Sequence, residues 1–303
     1  MKHLLKLGDL SSREITDILN LADQLKFEKY HGERKPYLGG KTLGMIFTKA
    51  STRTRVSFEV GMYQLGGNAL FLSGSEMQIG RGEPAEDTAR VLSKYLDGIM
   101  IRTYKQSEVE KLAEFSDIPV INGLTDYCHP CQVLADLMTI RERKGSFKGK
   151  KLTFIGDGNN MANSLIVGAV KTGMEIAVAC PKGYEPDAEI IKWGTQNGKV
   201  TITDDVKAAA EGADVMYTDV WASMGQEGEA ELRKQKFKGF CIDSELMKLA
   251  KKDAMVLHCL PAHRGEEITA EVLEAHADEI FAEAENRLHA QKAVMVTLMG
   301  GKK

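Results

Sequence analysis

Apolar positions recur with a helical period near the start of the chain. Ile15, Ile18, Leu19, Ala22 and Leu25 fall on one face, behind a Ser11-x-x-Glu14 capping box. The run KTLGMIFT at residues 41–48 predicts a short strand, and residues 56–65 a helix stopped by Gly66-Gly67. Residues 84–96 read as a further helix, with Glu86 and Asp87 in its first turn to suit the helix dipole. Residues 98–101 and 118–121 read as buried strands. Residues 131–144 form a helix whose apolar positions include Val133, Leu134, Leu137 and Met138, with Arg141, Arg143 and Lys144 in its last turn.

The second half alternates more plainly. Strand-like runs lie at 152–155, 176–179, 200–203, 215–218 and 255–257. Helical runs lie near 161–172, 187–196, 205–211, 244–251 and 269–277, and a last helix spans 284–299. Such alternation predicts an α/β fold built on open parallel sheets with helices on both faces. Ligands then bind off the carboxyl ends of the strands, so chemical motifs should follow strands. The polar stretch GSFKGKK at 145–151 is the expected domain boundary.

Length agrees with that division, since 303 residues predict two domains. With 43% hydrophobic and 27% charged residues, each half can bury a core. The 40 basic and 43 acidic side chains leave a net charge of −3, unlike the basic footprint of a nucleic-acid binder. Apolar runs such as 165–170 are too short to span a bilayer, and residues 1–6 lack a signal-peptide core. Five cysteines fit a reducing compartment better than a disulfide framework, so a cytoplasmic protein is expected.

Five segments carry candidate chemistry. Lys49-Ala50-Ser51-Thr52-Arg53-Thr54-Arg55 follows a strand and opens a helix, so hydroxyls, free N–H groups and the positive dipole end converge there. A phosphate or carboxylate site is favoured over a merely capped helix, because cations at a helix N-terminus oppose the dipole. Cys128-His129-Pro130-Cys131-Gln132 opens another helix. Its Cys-x-x-Cys has no second Cys or His pair at zinc spacing and no thioredoxin-like βαβ surround, which leaves a helix start with two buried thiols, or His129 and Gln132 placed to bond a carbonyl. Gly156-Asp157-Gly158-Asn159-Asn160-Met161 imitates a dinucleotide fingerprint but puts Met161 at the third glycine, and Cys180-Pro181 where a ribose-binding acid belongs. Its asparagines either present amides to a ligand or cap the helix. Asp219-Val220-Trp221-Ala222-Ser223-Met224-Gly225 offers a carboxylate for an ammonium group, or a solvated loop acid. His258-Cys259-Leu260-Pro261-Ala262-His263 places a thiol and two imidazoles at a strand end, with Pro261 a candidate cis residue.

In this order, Ser-Thr-Arg-Thr-Arg, His-Pro-Cys-Gln, Asp-x-Trp-x-Ser-Met-Gly and His-Cys-Leu-Pro closely resemble the aspartate/ornithine transcarbamylase family, from Leu4 to the final helix. The Ser223-Met224-Gly225 loop points to its ornithine branch rather than to aspartate or putrescine relatives. The resemblance implies two α/β domains, each a mostly parallel sheet flanked by helices, with the active site in the interdomain cleft. Residues 1–144, completed by a C-terminal helix at about 286–303, would bind carbamoyl phosphate, and residues 145–285 would bind ornithine. By the same resemblance Ser51, Thr52, Arg53 and Thr54 hold the phosphate with Lys49 nearby, and Gln78 reaches in from a neighbouring subunit. Arg102 touches phosphate and carbonyl oxygen, His129 and Thr54 the carbonyl oxygen, and Gln132 the carbamoyl amino group. Pro130, Cys131, Cys259, Leu260 and Arg287 complete the carbamoyl phosphate site. Asn160 and Met224 would take the ornithine α-carboxylate, Asp219 and Ser223 the α-ammonium, and Cys259 with the Leu260 carbonyl the δ-amine. Arg102, His129 and Cys259 are the implied catalytic residues.

The implied reaction is carbamoyl phosphate plus L-ornithine giving L-citrulline plus phosphate, in arginine metabolism; the alternative is carbamoylation of another amine, N-acylated ornithine or putrescine. It implies neither metal nor organic cofactor, no nucleic-acid or membrane partner, and a homotrimer or an assembly of trimers.

Overall fold

Ser11 opens the first helix as its sequence signature requires. Its hydroxyl accepts from Glu14 N at 3.2 Å, and the Glu14 carboxylate accepts from Ser11 N at 2.8 Å. The computed structural model describes residues 1–33, 35–78, 82–222 and 227–301, without the side chain of Glu227. The chain divides into two units, Met1–Met138 with Asn286–Lys303, and Thr139–Glu285. The division falls within a helix, upstream of the polar segment 145–151.

Unit 1 runs α1 (Ser12–Tyr30), β1 (Thr42–Phe47), α2 (Thr52–Gln64), β2 (Asn68–Ser73), α3 (Ala85–Leu92), β3 (Gly98–Arg102), α4 (Gln106–Glu114) and β4 (Val120–Leu124). Its strands pair in parallel in the order β2-β1-β3-β4. Two elements go beyond the sequence pattern. Strand β2 is an edge strand with no buried residue, so it lacks a core-facing alternation. Helix α4 buries only Val109, Leu112 and Ala113. The strand expected at 118–121 runs through Gly123, where a Cβ would lie 2.6 Å from the Met100 sulfur. Close packing on β3 thus explains a glycine inside a strand.

Helix α5 (Pro130–Lys144) carries the chain into unit 2. There follow β5 (Lys151–Ile155), α6 (Asn160–Thr172), β6 (Glu175–Ala179), α7 (Ala188–Asn197), β7 (Val200–Thr203), α8 (Val206–Ala210), β8 (Val215–Thr218), α9 (Ala230–Lys236), α10 (Ser244–Met247), β9 (Met255–His258) and α11 (Ala270–Ala275). Helix α12 (Ala277–Met299) begins earlier than the expected 284 and returns the chain to unit 1. The parallel order is β7-β6-β5-β8-β9. Ile155, Met216, Trp221, Phe237 and Phe240 anchor the core of this unit.

Each sheet has one switch point, where connections leave in opposite directions. In unit 1 it lies between β1 and β3, with Phe47 paired to Arg102. In unit 2 it lies between β5 and β8, with Ile155 paired to Thr218. Loops after these strands diverge and leave a crevice at their carboxyl ends. The motifs that begin at Lys49, Gly156 and Asp219 follow these switch-point strands and Arg102 ends one of them, while Cys128–Gln132 and His258–His263 lie at the carboxyl ends of the edge strands β4 and β9. Among the described residues, no helix is long and apolar enough to cross a membrane.

Candidate active site

In unit 1 the loop after β1 runs directly into α2. Ser51 is the N-cap, its Oγ accepting from Thr54 N at 3.2 Å. Thr52 and Arg53 are exposed at the first turn while Thr54 is buried. The remaining first-turn N–H groups and the helix dipole make this end attractive to an anion. Lys49 is buried, with Nζ donating to Asp126 Oδ1 at 2.9 Å and lying 5.0 Å from the Tyr104 ring centre. Arg102 ends the neighbouring strand β3 and is buried beside the same loop, Thr48 N donating to its carbonyl at 3.0 Å.

Pro130 opens α5, where a missing N–H costs nothing, and so fixes His129 just ahead of the helix. His129 is 5% exposed. Burial drives its pKa well below the usual imidazole value, and Arg287, Arg102, Arg53 and Lys49 drive it further down. His129 is therefore a neutral ring among four cations, able to donate a hydrogen bond without carrying charge. Arg287, on the part of α12 that belongs to unit 1, donates to Gln132 Oε1 at 2.6 Å and to Thr54 Oγ1 at 3.4 Å. Gln132 in turn donates to Asp136 Oδ1 at 2.8 Å. One chain of hydrogen bonds thus links α2, α12 and α5.

One sequence reading changes here. Arg55 belongs to a different surface: it pairs with Glu59 at 3.2 Å and its guanidinium lies 3.9 Å from the Phe71 ring centre. The Cys-x-x-Cys is a pair of buried thiols, one of the two readings that the sequence left open. None of the five cysteines is in a disulfide, and burial pushes the pKa of both Cys128 and Cys131 up to about 12. Their thiols donate to the Leu5 and Asn122 carbonyls, at 3.5 and 3.4 Å. A thiol so committed leaves Cys131 only its backbone to offer a ligand. Gln78 is exposed after β2.

In unit 2 the loop after β5 explains the fingerprint-like glycines. A Cβ on Gly158 would lie 2.3 Å from Glu185 C and Pro186 N, and Gly158 N donates to Tyr184 O at 2.8 Å. In a dinucleotide fold that closeness admits a pyrophosphate. Here the chain's own backbone fills the space. Asn159 caps α6, its Oδ1 accepting from Met161 N at 2.9 Å, and its Nδ2 donates to Asp219 Oδ2 at 3.2 Å. Asn160 is buried in the first turn of α6.

Asp219 is buried after β8. Its Oδ1 accepts from Val220 N at 2.8 Å and from Cys259 Sγ at 3.0 Å. Asp219, His258 and Cys259 bring donor atoms within 4.8 Å of one another, a grouping that could hold a metal. His258 is already spent: Nδ1 accepts from Leu260 N at 2.9 Å, which leaves Nε2–H to donate to Glu267 at 3.0 Å. This braces the turn in which Leu260 has a φ of 58° and Leu260–Pro261 is cis. Ser223 and Met224 lie outside the described residues.

Arg233, on α9, escaped the sequence reading because α9 is rich in charged residues, exposes its one leucine, Leu232, and resembles a solvated helix. It is buried, donating to Asp157 Oδ2 at 2.7 Å, to Trp221 O at 2.9 Å and to Glu229 Oε2 at 3.2 Å. It therefore ties the loop after β5 to the loop after β8.

Both halves of the chain are similar to known proteins. Residues 2–142 match the model of the aspartate/ornithine carbamoyltransferase carbamoyl-P binding domain, and residues 148–298 that of the Asp/Orn binding domain. The chain is 56% identical over 302 residues to an ornithine carbamoyltransferase of Pelobacter propionicus, covering 99% of each. It is 55% identical to that of Carboxydothermus hydrogenoformans, over 99% of this chain and 98% of the other. Among solved structures, ornithine carbamoyltransferase from Pyrococcus furiosus superposes with a TM-score of 0.96 at 52% identity, covering 100% of this chain and 98% of that one. The anabolic enzyme from Campylobacter jejuni gives 0.92 at 44% identity, covering 98% and 99%. With both domains matched end to end, the chain belongs to the aspartate/ornithine carbamoyltransferase family.

Proposed function

We propose that the protein transfers the carbamoyl group of carbamoyl phosphate to the δ-amine of L-ornithine, giving L-citrulline and phosphate. The observation that carries this reading is the neutral His129 held among Arg287, Arg102, Arg53 and Lys49. A plain anion-binding site needs only the cations. An uncharged N–H donor beside them suits a substrate that is phosphate at one end and carbonyl at the other.

Unit 1 would take carbamoyl phosphate, with Ser51, Thr52, Arg53 and Thr54 on the phosphate. Unit 2 would take ornithine, with Asp219 and Ser223 on the α-ammonium, Asn160 and Met224 on the α-carboxylate, and Cys259 and Leu260 near the δ-amine. A free alkylamine has a pKa of about 10 and must lose a proton before it attacks. Placing it out of water beside Arg102 favours the neutral form. Its nitrogen bonds to the carbonyl carbon, and the carbon–oxygen bond to phosphate breaks. Charge on the carbonyl oxygen is met by Arg102, His129 and Thr54, and the leaving phosphate takes the bond's electrons toward Arg53 and ends with the proton that the new C–N nitrogen gives up. The Gln132 carboxamide is aligned by Arg287 and Asp136 for the carbamoyl NH₂.

The reading extends to assembly and setting. The exposed Gln78 is assigned to a neighbouring subunit's site, which requires a homotrimer or an assembly of trimers, in the cytoplasm. The direction is arginine biosynthesis, supported by the similarity to a structure described as anabolic. The test is carbamoyl-phosphate-dependent product formation with L-ornithine, N-acetyl-L-ornithine and putrescine side by side. Citrulline with equimolar phosphate from ornithine alone is expected, and Arg102→Gln should lower kcat at least about a thousandfold. Equal turnover of putrescine, or near-normal kcat in the variant, overturns the reading.

A further inference from the structure

A second concave site lies within unit 1, away from the residues assigned above. Glu28 and Lys29 at the end of α1, Lys35 and Tyr37 after it, Tyr63 on α2 and Lys292 on α12 line a cavity of about 690 Å³. That volume falls in the range of about 300–1,000 Å³ typical of small-molecule sites.

Among the described lining residues three lysines, Lys29, Lys35 and Lys292, face two carboxylates, Glu28 and Glu33, and Lys35 pairs with both carboxylates. Glu28 is 5% exposed, and its Oε1 accepts from Lys35 Nζ at 2.8 Å, Tyr37 OH at 2.8 Å and Gln24 Nε2 at 3.0 Å. Lys292 is 4% exposed, and its Nζ donates only to the neutral Gln64 Oε1, at 3.2 Å. Among the described residues no carboxylate comes within ion-pair distance of it. A buried ammonium without a counter-ion is costly, and the cost falls when an anion arrives. Burial pushes Lys292 down to about 8; Lys29 lowers it further and Glu28 opposes the shift.

The cavity also shares its framework with the candidate phosphate site. Helix α2 meets α12 through Thr54 with Arg287, and through Gln64 with Lys292. Between them a Cβ on Gly61 would lie 2.8 Å from Met295 Cε and 3.3 Å from Lys292 Cγ. With its amide turned to satisfy both ends, Gln291 donates to Ser57 at 2.5 Å and accepts from Arg287 at 2.8 Å. So closely packed an interface transmits displacement rather than absorbing it.

We propose that this cavity is a second, regulatory anion site, which takes a small organic carboxylate or a phosphate against Lys292 and alters carbamoyl phosphate affinity through α2 and α12. Only the link to carbamoyl phosphate rests on the function proposed above.

The test uses the full-length protein and two probes, benzoate and inorganic phosphate. Calorimetric titrations are run in an Arg53→Gln/Arg102→Gln background, which removes the substrate-phosphate site, with and without Lys292→Met or Lys292→Arg. Saturable binding of either probe should be weakened at least about tenfold by Lys292→Met, equivalent to about 1.4 kcal/mol, and restored by Lys292→Arg. Binding of one probe alone identifies the oxyanion class. No saturable binding, or equal binding in Lys292→Met, overturns the site. Removing an uncompensated buried charge should not unfold the protein, and a denaturation midpoint for each variant verifies this. In otherwise unmodified enzyme, benzoate should shift the KM for carbamoyl phosphate at least about twofold, and not in Lys292→Met. Binding with an unchanged KM overturns the link between the two sites while leaving the cavity occupied.

Discussion

Gly158→Ala adds one methyl group and asks what that glycine is for. The new Cβ would lie 2.3 Å from Glu185 C and Pro186 N and 2.4 Å from Tyr184 O, all backbone atoms. Ordinary contact begins at 3.4 Å, so the two loops must part by about 1 Å. The 2.8 Å bond from Gly158 N to Tyr184 O resists that movement. Overpacking of this kind costs about 1–3 kcal/mol, with the upper end expected where no side chain can swing aside. The functional cost should be comparable to the loss of stability, since a hundredfold in rate is about 2.7 kcal/mol. Asn159 follows directly and holds Asp219 at 3.2 Å, and Asn160 opens the helix beyond it. Misplacing positioned groups by about 1 Å lowers turnover by about a hundredfold. Urea denaturation and steady-state citrulline formation, each substrate varied in turn, measure both effects. The expected result is a lower midpoint and a kcat/KM for ornithine down about a hundredfold, with the KM for carbamoyl phosphate unchanged. A variant with wild-type midpoint and wild-type ornithine kinetics would show that the loops have room, and would refute the close-approach argument.

Two further outcomes follow from buried charge. His129 titrates well below 6.5 in the folded protein, so below that pH the unfolded chain binds a proton that the native state refuses. Stability attributable to it is present above pH 6.5 and falls by about 1 kcal/mol between about pH 6.5 and 5.5; denaturant midpoints across pH for the protein and His129→Gln should diverge accordingly, and parallel profiles would sink the assignment. Arg233→Met strands the buried Asp157, whose pKa burial already raises to about 6 against the pull of Arg233; unfolding free energy should fall by about 3–5 kcal/mol, and Asp157→Asn in the same chain should recover part of it. No recovery in the double variant would place the cost elsewhere.

Local physics made much of this protein legible from its residues. A capping box and a serine ahead of a cationic first turn each need only neighbours in the chain, and each lies where its pattern predicts. Strand–helix alternation likewise predicted parallel sheets, because a strand buried on both faces must be apolar along its length. Elements without a buried stripe, β2 and α9 above all, left no periodicity to read.

The site's motifs were visible, but their internal wiring was not. Gln132 and Arg287 lie 155 residues apart, and Asp157 and Arg233 lie 76 apart, so no local pattern could join them. The meaning of Gly158 was open to sequence alone, since a close backbone approach serves a cofactor or the chain itself equally well. Only the folded position of Tyr184–Pro186 decides between them. The protonation of His129 is tertiary for the same reason: burial and four cations drawn from separate segments set it, and none is encoded in the residues beside it. Sequence determines which groups are available and what local structure each one starts. Tertiary structure decides which of them meet, and with what charge, because burial and distance govern electrostatic energy and both are properties of the fold.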